Sequence, residues 1–319
     1  MKRVTIEDIA AKLNISFSTV ARALNDHPAI SEATKKAVKE TATRLGYRQN
    51  KVAASLRSGR TYIIGVIVPN LQLSFFSSVV HGIERIMNEH DYNILLYQSN
   101  ELPAQEARGI DTFLQSRVDG IIASVTQETR DMPHYVEIRK RGIPLLFFDR
   151  AIANLEVPSV VIDDFRGGYM ATQHLIDRGY RRIAHFNTDR DLAIFSTRRE
   201  GYKAALAANG LPAEEALLVQ GPLSLAFGEA AVERLLQQQQ SFDAIFAVED
   251  FTAMGALQAL KKHHIKVPET VGVIGFANEA FGSLVTPTLS SIDQQTVRMG
   301  EEAARLFLKV LQQKGKTNP

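Results

Sequence analysis

Cysteine and tryptophan are absent from the 319 residues. The first absence excludes disulfides and thiolate-bound metal and fits a reducing compartment. No stretch approaches the roughly 20 apolar residues of a membrane span. The opening MKRVTIEDIA lacks the apolar run of a secretory signal, so the expected location is cytoplasmic, with no membrane partner. The GxGxxG, P-loop, HExxH and GxSxG motifs are also missing. The histidines are scattered apart from His263-His264, and adjacent helix positions do not share a face. Asp149, Asp163, Asp164 and Glu249 could in principle form a carboxylate pair for glycoside chemistry, but strand-end carboxylates more often cap helices or bind hydroxyls. The expectation is therefore no catalytic residue, no metal and no cofactor.

Acidic charge is scarce in one place only. Net charge is +2, but residues 1–60 carry 12 Lys or Arg against 5 Asp or Glu, and the remainder 25 against 30. The excess of positive charge lies at the N-terminus, where a polyanion would be bound.

Val4–Asn25, VTIEDIAAKLNISFSTVARALN, holds two short helical patterns around a polar turn. Thr5 can cap the first, with Asp8 completing a capping box. Ile6, Ile9, Ala10 and Leu13 fall on one face. Asn14, Ile15 and Ser16 make the turn, and Ser16 can cap the second helix. There Val20 and Leu24 face inward, leaving Phe17, Ser18, Ala21 and Arg22 outward. Two such helices cannot bury a core alone. Ser31 caps a third pattern containing Val38, Ala42 and Leu45, with Gly46 as its stop. Three helices with the second exposed describe a helix-turn-helix reader of the major groove. A small helical domain with merely solvated outward residues is the plainer alternative, and the local basic charge argues against it.

Residues 46–60, GYRQNKVAASLRSGR, form a basic junction. Asn50 could cap one short helix, Lys51 to Arg57, whose Leu56 has no core of its own. From Thr61 the character changes. Apolar, β-branched runs at Ile63–Val68, Asn93–Tyr97, Gly120–Ser124, Leu145–Phe148 and Ser159–Ile162 alternate with helical patterns at Ser77–Glu89, Ala104–Gln115 and Met132–Arg141. A second series follows: helices at Gly168–Asp177, Ser196–Ala208, Ala226–Gln239 and Thr252–His263, strands at Arg182–Phe186, Leu217–Gln220, Ala244–Val248 and Val271–Phe276. The alternation reads as two βαβ lobes around parallel sheets, with a cleft between them. Ligands of such sheets bind beyond the carboxyl ends of strands, which points to Asn70, Asp149, Asn187, Glu249 and Ala277.

These motifs, in order, resemble the LacI/GalR family of bacterial transcription regulators: TIEDIAAKLNISFSTVARALN, SEATKKAV, LGYRQN, AASLRSGRT, IGVIVP, FFSSVVHGIE, VDGIIAS, GIPLLFFDR, HLIDRGYRRIAHF, RREGYKAAL, AIFAVEDFTAMGALQAL, VPETVGVIGF and TPTLSSIDQ. The resemblance covers essentially the whole chain. It implies an all-α helix-turn-helix head, residues 1–48, a hinge helix and linker, 49–60, and an α/β two-lobed periplasmic-binding-protein-like domain, 61–319. The first lobe spans about 61–162 plus a returning C-terminal helix, about Thr296–Gln312, and the second about 163–291. The chain is expected to cross between lobes near Asp163, near Ser291 and once more.

By that resemblance the protein is a sequence-specific DNA-binding regulator, a repressor working as a homodimer on a pseudo-palindromic double-stranded operator. A small-molecule effector, a sugar or sugar derivative, binds between the lobes. Phe17, Ser18 and Arg22 read base edges. Thr5, Ser16, Thr19, Asn25 and Asn50 lie near phosphates, and Ala53 and Leu56 enter the minor groove from the hinge. Leu73, Phe75, Asp149, Arg198, Glu249, Ala277 and Asn278 surround the effector. The sequence departs from the family pattern at four places. Ala21 stands where many members have Ser. Leu73-Ser74 replaces Asn-Pro, Glu249-Asp250 replaces Asn-Asp, and Ala277 replaces an Asp, so one hydroxyl-binding carboxylate is missing and another appears across the site. Glu249 is expected to take over a polar contact, against the plainer reading of a lobe-surface charge. The rival functions are solute capture by the same fold, a sugar-handling enzyme, and a non-specific architectural DNA binder.

Overall fold

A computed structural model describes residues 4–47, 60–127, 132–152, 155–190 and 192–317. The expected hinge helix, with Asn50, Ala53 and Leu56, lies outside the described residues. The chain divides into two compact units, Met1–Thr61 and Tyr62–Pro319.

The first unit contains helices α1 (Ile6–Leu13), α2 (Phe17–Leu24) and α3 (Glu32–Leu45). Each begins where a hydroxyl caps it: Thr5 in a reciprocal capping box with Asp8, then Ser16, then Ser31. α1 ends on Asn14 and α3 on Gly46, both left-handed, a conformation that Gly and Asn tolerate best. Ile9, Val20, Ala23 and Val38 are fully buried at the centre, with Ile6, Leu13, Leu24 and Leu45 packed around them. Ala21 corrects the expectation of an outward residue: it is buried. Its small side chain tucks into the flank of α2, and Asn25 Nδ2 folds back to donate to its carbonyl at 2.8 Å.

The second unit has two five-stranded parallel sheets. In the first the order is β2 (Asn93–Gln98), β1 (Ile63–Val68), β3 (Gly120–Ala123), β4 (Leu145–Phe148), β5 (Ser159–Val160). In the second it is β10 (Ser290–Ile292), β9 (Gly272–Phe276), β8 (Ala244–Ala247), β6 (Ile183–Asn187), β7 (Leu218–Gln220). The central strands β1, β3, β4, β6, β8 and β9 are buried along almost their whole length, as a sheet covered on both faces requires.

Around the first sheet run α4 (Ser74–Glu89), α5 (Pro103–Gln115), α6 (Pro133–Lys140) and the last helix, α11 (Thr296–Thr317). Around the second run α7 (Asp164–Asp177), α8 (Ala193–Ala208), α9 (Leu225–Gln237) and α10 (Asp250–Lys262). α4 and α11 share one core face of the first sheet, through Val79, Ile83, Ala303 and Phe307. α5 and α6 share the other, through Ile110, Phe113 and Tyr135. Complete burial of each such side chain contributes about 1.5–3 kcal/mol.

Three helix pairs interlock through one glycine from each partner. A Cβ on Gly82 would stand 2.2 Å from the Val297 carbonyl oxygen, and one on Gly300 2.1 Å from that of Val79. Gly168 and Gly201 face the carbonyls of Arg198 and Phe165 at 2.1 Å each, and Gly228 and Gly255 those of Thr252 and Leu225 at 2.0 and 1.9 Å. These contacts let backbones touch, and set how closely each pair, and the loops at its ends, can approach.

Among the described residues the chain passes between the sheets twice, at 161–163 and 293–295. The third passage expected from sequence is not made there, because α11 stays against the first sheet. Gly300→Ala should destabilise the second unit by about 1–3 kcal/mol, since the new methyl meets backbone that cannot swing aside. Urea unfolding should show it as a lower midpoint with an unchanged slope.

Candidate functional site

The exposed face of α2 is the first candidate. Phe17 is 53% exposed although it is a large apolar residue, and Ser18 and Arg22 are exposed beside it. Ser16 Oγ accepts from the Thr19 N–H at 3.1 Å and lies 2.8 Å from Thr19 Oγ1 and 2.9 Å from Ser18 Oγ. No acidic residue occupies the first turn of α2, so its partial positive charge is open to an anion. Thr5 is exposed and bound to Asp8 through both its N–H and its hydroxyl. Hence Phe17, Ser18 and Arg22 form one surface with Ser16, Thr19 and Asn25 at its ends.

The second candidate is a cleft of about 460 Å³ at the carboxyl ends of the strands of both sheets. Its walls come from the loop after β1 and the start of α4 (Asn70, Leu73, Phe75, Phe76), the ends of β3 and β4 (Gln127, Asp149, Arg150), the start of α8 (Ile194, Phe195, Arg198), the starts of α9 and α10 (Ser224, Glu249, Phe251) and the loop after β9 (Ala277, Glu279). Two hydrogen bonds join the lobes at its edges: Ser74 Oγ donates to Glu279, and Arg190 Nη1 donates to Gln127 Oε1 at 2.7 Å.

Of the seven expected effector residues, Leu73, Phe75, Asp149, Arg198, Glu249 and Ala277 line this cleft. Asn278 is not on its wall. It is exposed, left-handed at φ 57, and its N–H is held by Ser291 Oγ at 2.9 Å. Of the strand-end candidates, Asn70 also lines the cleft. Asn187 does not: it is buried, with Nδ2 donating to the Phe195 carbonyl at 3.1 Å and lying 3.2 Å from His185 Nε2. It holds the first turn of α8 in place. His185 stacks on Tyr202, and burial lowers its pKa to about 3, so it is neutral.

Arg198 is buried. Its Nε donates to Asp164 Oδ1 and its Nη1 to the Val248 carbonyl, both at 2.8 Å. The guanidinium lies 3.7 Å from the Phe276 ring centroid and 5.3 Å from that of Phe195. Burial raises the Asp164 pKa, and Arg198 opposes the rise. Arg150 Nη1 reaches both Glu101 oxygens, at 2.9 and 3.0 Å. Beside it Asp149, with φ 58 and 8% exposure, has its carboxylate 3.6 Å from Arg150 Nε and no side-chain hydrogen bond among the described residues. Burial therefore lifts the Asp149 pKa to about 6, with Arg150 and Arg198 opposing.

Glu249 fits neither sequence expectation alone. It lines the cleft, yet its carboxylate caps α10, accepting from the Phe251 N–H at 2.9 Å, the Thr252 N–H at 2.6 Å and the Thr252 hydroxyl. Burial raises its pKa against those hydrogen bonds. Asp250 turns away and accepts from the Glu279 N–H and Ser291 Oγ, both at 2.7 Å, which ties down the loop carrying Ala277. Sequence reading missed Phe76, Gln127, Arg150, Phe195, Phe251 and Glu279. Arg150 was findable, being the residue after Asp149 in the strand-end motif; the aromatic residues carry no polar signal.

Among the described residues no cluster of His, Asp or Glu could hold a metal ion, and no helix is long and apolar enough to cross a membrane. A three-helix unit and a two-sheet unit with a ligand-sized cleft, carried on one chain, define a regulator class. Residues 5–50 match the model of the bacterial regulatory proteins of the lacI family, and residues 61–319 that of the periplasmic binding proteins and sugar-binding domain of the LacI family. The chain belongs to the LacI family, and is a DNA-binding transcriptional regulator. It is 34% identical to catabolite control protein A of Priestia megaterium over 97% of this chain and 92% of that one. To the regulator RegA of Clostridium saccharobutylicum it is 31% identical, over 99% and 95%. A transcriptional regulator CelR–cellobiose complex matches at 29% identity and TM-score 0.71, over 98% and 94%. The lac repressor dimer bound to operator and an anti-inducer shares the fold, at TM-score 0.86 and 22% identity, over 98% and 94%.

The Asp149 carboxyl predicts a pH signature. Its pKa is raised in the folded state, so stability is higher at low pH and falls as pH rises from about 4 to about 6. Asp149→Asn should remove that fall. The ligand-free variant should be more stable than the parent by up to about 2–3 kcal/mol at pH 7.5, and the gap should close toward pH 4, as read by urea unfolding at each pH.

Proposed function

We propose that the chain is a cytoplasmic homodimeric repressor of a pseudo-palindromic operator, controlled by a sugar or sugar derivative bound in the cleft. The observation that carries this is the cleft itself. Both lobes contribute to it, two hydrogen bonds bridge its edges, and Asp149 and Arg198 present buried polar groups at its floor. A ligand held by both lobes favours one relative tilt of the sheets. It controls the head only if it binds the two tilts with different affinity. The cellobiose complex of one relative and the operator-bound dimer of another are consistent with this reading. By position, Phe17, Ser18 and Arg22 read bases, and Thr5, Ser16, Thr19 and Asn25 meet phosphates. Asn50, Ala53 and Leu56 complete the interface as the family resemblance implies.

Solute capture without DNA leaves the exposed Phe17 and the N-terminal end of α2, whose first turn holds no acidic residue, without a purpose. Selection of bound duplexes from a random pool should return an inverted repeat. Arg22→Ala should relax the choice of base at one symmetric pair of positions by about 1–3 kcal/mol, as an arginine–guanine pair would. Its unfolding midpoint should be unchanged, because the side chain is exposed. Recovery of no consensus would defeat the proposal.

A further inference from the structure

The two guanidinium groups on the cleft wall are neutralised within the protein. Arg198 is held by Asp164 and a backbone carbonyl, and Arg150 by both oxygens of Glu101. Three more carboxylates line the same cleft: Asp149, Glu249 and Glu279. The cleft wall carries these three carboxylates against two guanidiniums, each of which is already paired with a carboxylate behind the wall, and Arg190 stands at the edge on Gln127. Glu249 and Glu279 already accept hydrogen bonds from Phe251, Thr252 and Ser74. Asp149 is different. Its carboxylate accepts no hydrogen bond from any described residue, and its neighbour Arg150 Nε, 3.6 Å away, is a buried donor without a partner. A carboxylate this buried and this poorly matched, facing a cavity, calls for a donor from outside the protein.

Five phenylalanines also line the wall, Phe75, Phe76, Phe195, Phe251 and Phe276, among neutral polar and aliphatic residues, and Arg150 or Arg198 already lies over three of the rings. Ring faces carry partial negative charge and attract cations, and also accept the apolar face of a sugar ring. An anionic ligand would add negative charge to an uncompensated, partly dry site. A neutral polyol would supply hydrogen bonds but no counter-charge. An ammonium supplies both, and charge-assisted hydrogen bonds are roughly twice as strong as neutral ones.

We propose that the effector is an amino sugar whose ammonium meets the Asp149 carboxylate while its ring lies against the phenylalanine wall, and that phosphorylated and carboxylated sugars are refused. This rests on the reading of the cleft as the effector site. The groups that set the charge of Asp149 are Arg150, Arg198, Asp164 and Glu101. A cationic ligand needs Asp149 ionised and its own amine protonated, so its affinity weakens as pH falls through about 6 and falls again once the amine loses its proton.

The test uses the full chain and matched sets of hexoses: glucosamine, glucose, glucose 6-phosphate and glucuronate, and the same four forms of galactose and mannose. Calorimetry at pH 7 should show one hexosamine binding at least about tenfold tighter than its neutral partner, with no binding of the acidic forms. Asp149→Asn should erase the advantage of the amine. Glu279→Gln should reduce it, and serves as the second variant if Asp149→Asn does not fold. A neutral or acidic sugar binding as tightly as the amine, or an advantage that survives in Asp149→Asn, overturns the proposal. So does the absence of hexosamine binding. If a neutral or acidic sugar binds and alters operator affinity, the cleft remains the effector site and only its charge preference falls. If no compound of any charge binds, both readings fall.

Discussion

The Arg198 guanidinium is the contact on which the second unit turns. It comes from the second turn of α8, grips Asp164 at the start of α7 and the carbonyl at the end of β8, and lies on Phe276 at the end of β9. One side chain thus fixes the ends of four elements around the cleft. Removing one partner from such a buried pair costs about 3–5 kcal/mol, because the other charge is left uncompensated. The packing beneath is equally restrictive. Gly168 and Gly201 bring α7 and α8 together close to Arg198 itself, so the position of the guanidinium follows from backbone contact between the helices.

This rigidity explains how a sub-ångström event at the cleft can be felt elsewhere in the two lobes. Each sheet is clamped between helix layers, and neither can deform gradually. Among the described residues, two connecting segments and two polar contacts at the rim join them. Arg198, tied to Asp164 and to the Val248 carbonyl, belongs to the frame as well as to the cleft wall. The polar group that is poorly matched is Asp149. Its left-handed backbone and raised pKa are costs the fold carries without ligand, consistent with strain concentrated at functional sites.

Much of this was legible in the sequence. The three caps of the head, its core and the alternation of strands and helices follow from hydroxyl placement and apolar period. So do most cleft residues, because the strand-end rule and the family motifs point to the same positions. The misreadings have physical causes. Helices α4 and α8 begin earlier than their apolar period shows, at Ser74 and Ala193. Neither has a capping side chain, and their first turns border the cleft. Strand β10 is only three residues long and half-exposed, too short to carry a pattern. Ala21 looked outward because a methyl has no polar signature to place it. The glycine interlocks were invisible because a glycine in a helix reads only as a weak position until its partner helix is in view. Glu249 looked like either a ligand or a bystander, and its capping bonds show it is also part of the frame.

The central claim is that cleft and head share one equilibrium. Linkage then requires that operator change ligand affinity by the same factor that ligand changes operator affinity. The decisive measurement is calorimetric titration of a cleft ligand into the full chain, free and saturated with its selected operator duplex. The account predicts dissociation constants differing by about 5–150-fold, equal to the ratio of operator affinities with and without that ligand. Identical ligand affinity in the two states would contradict it.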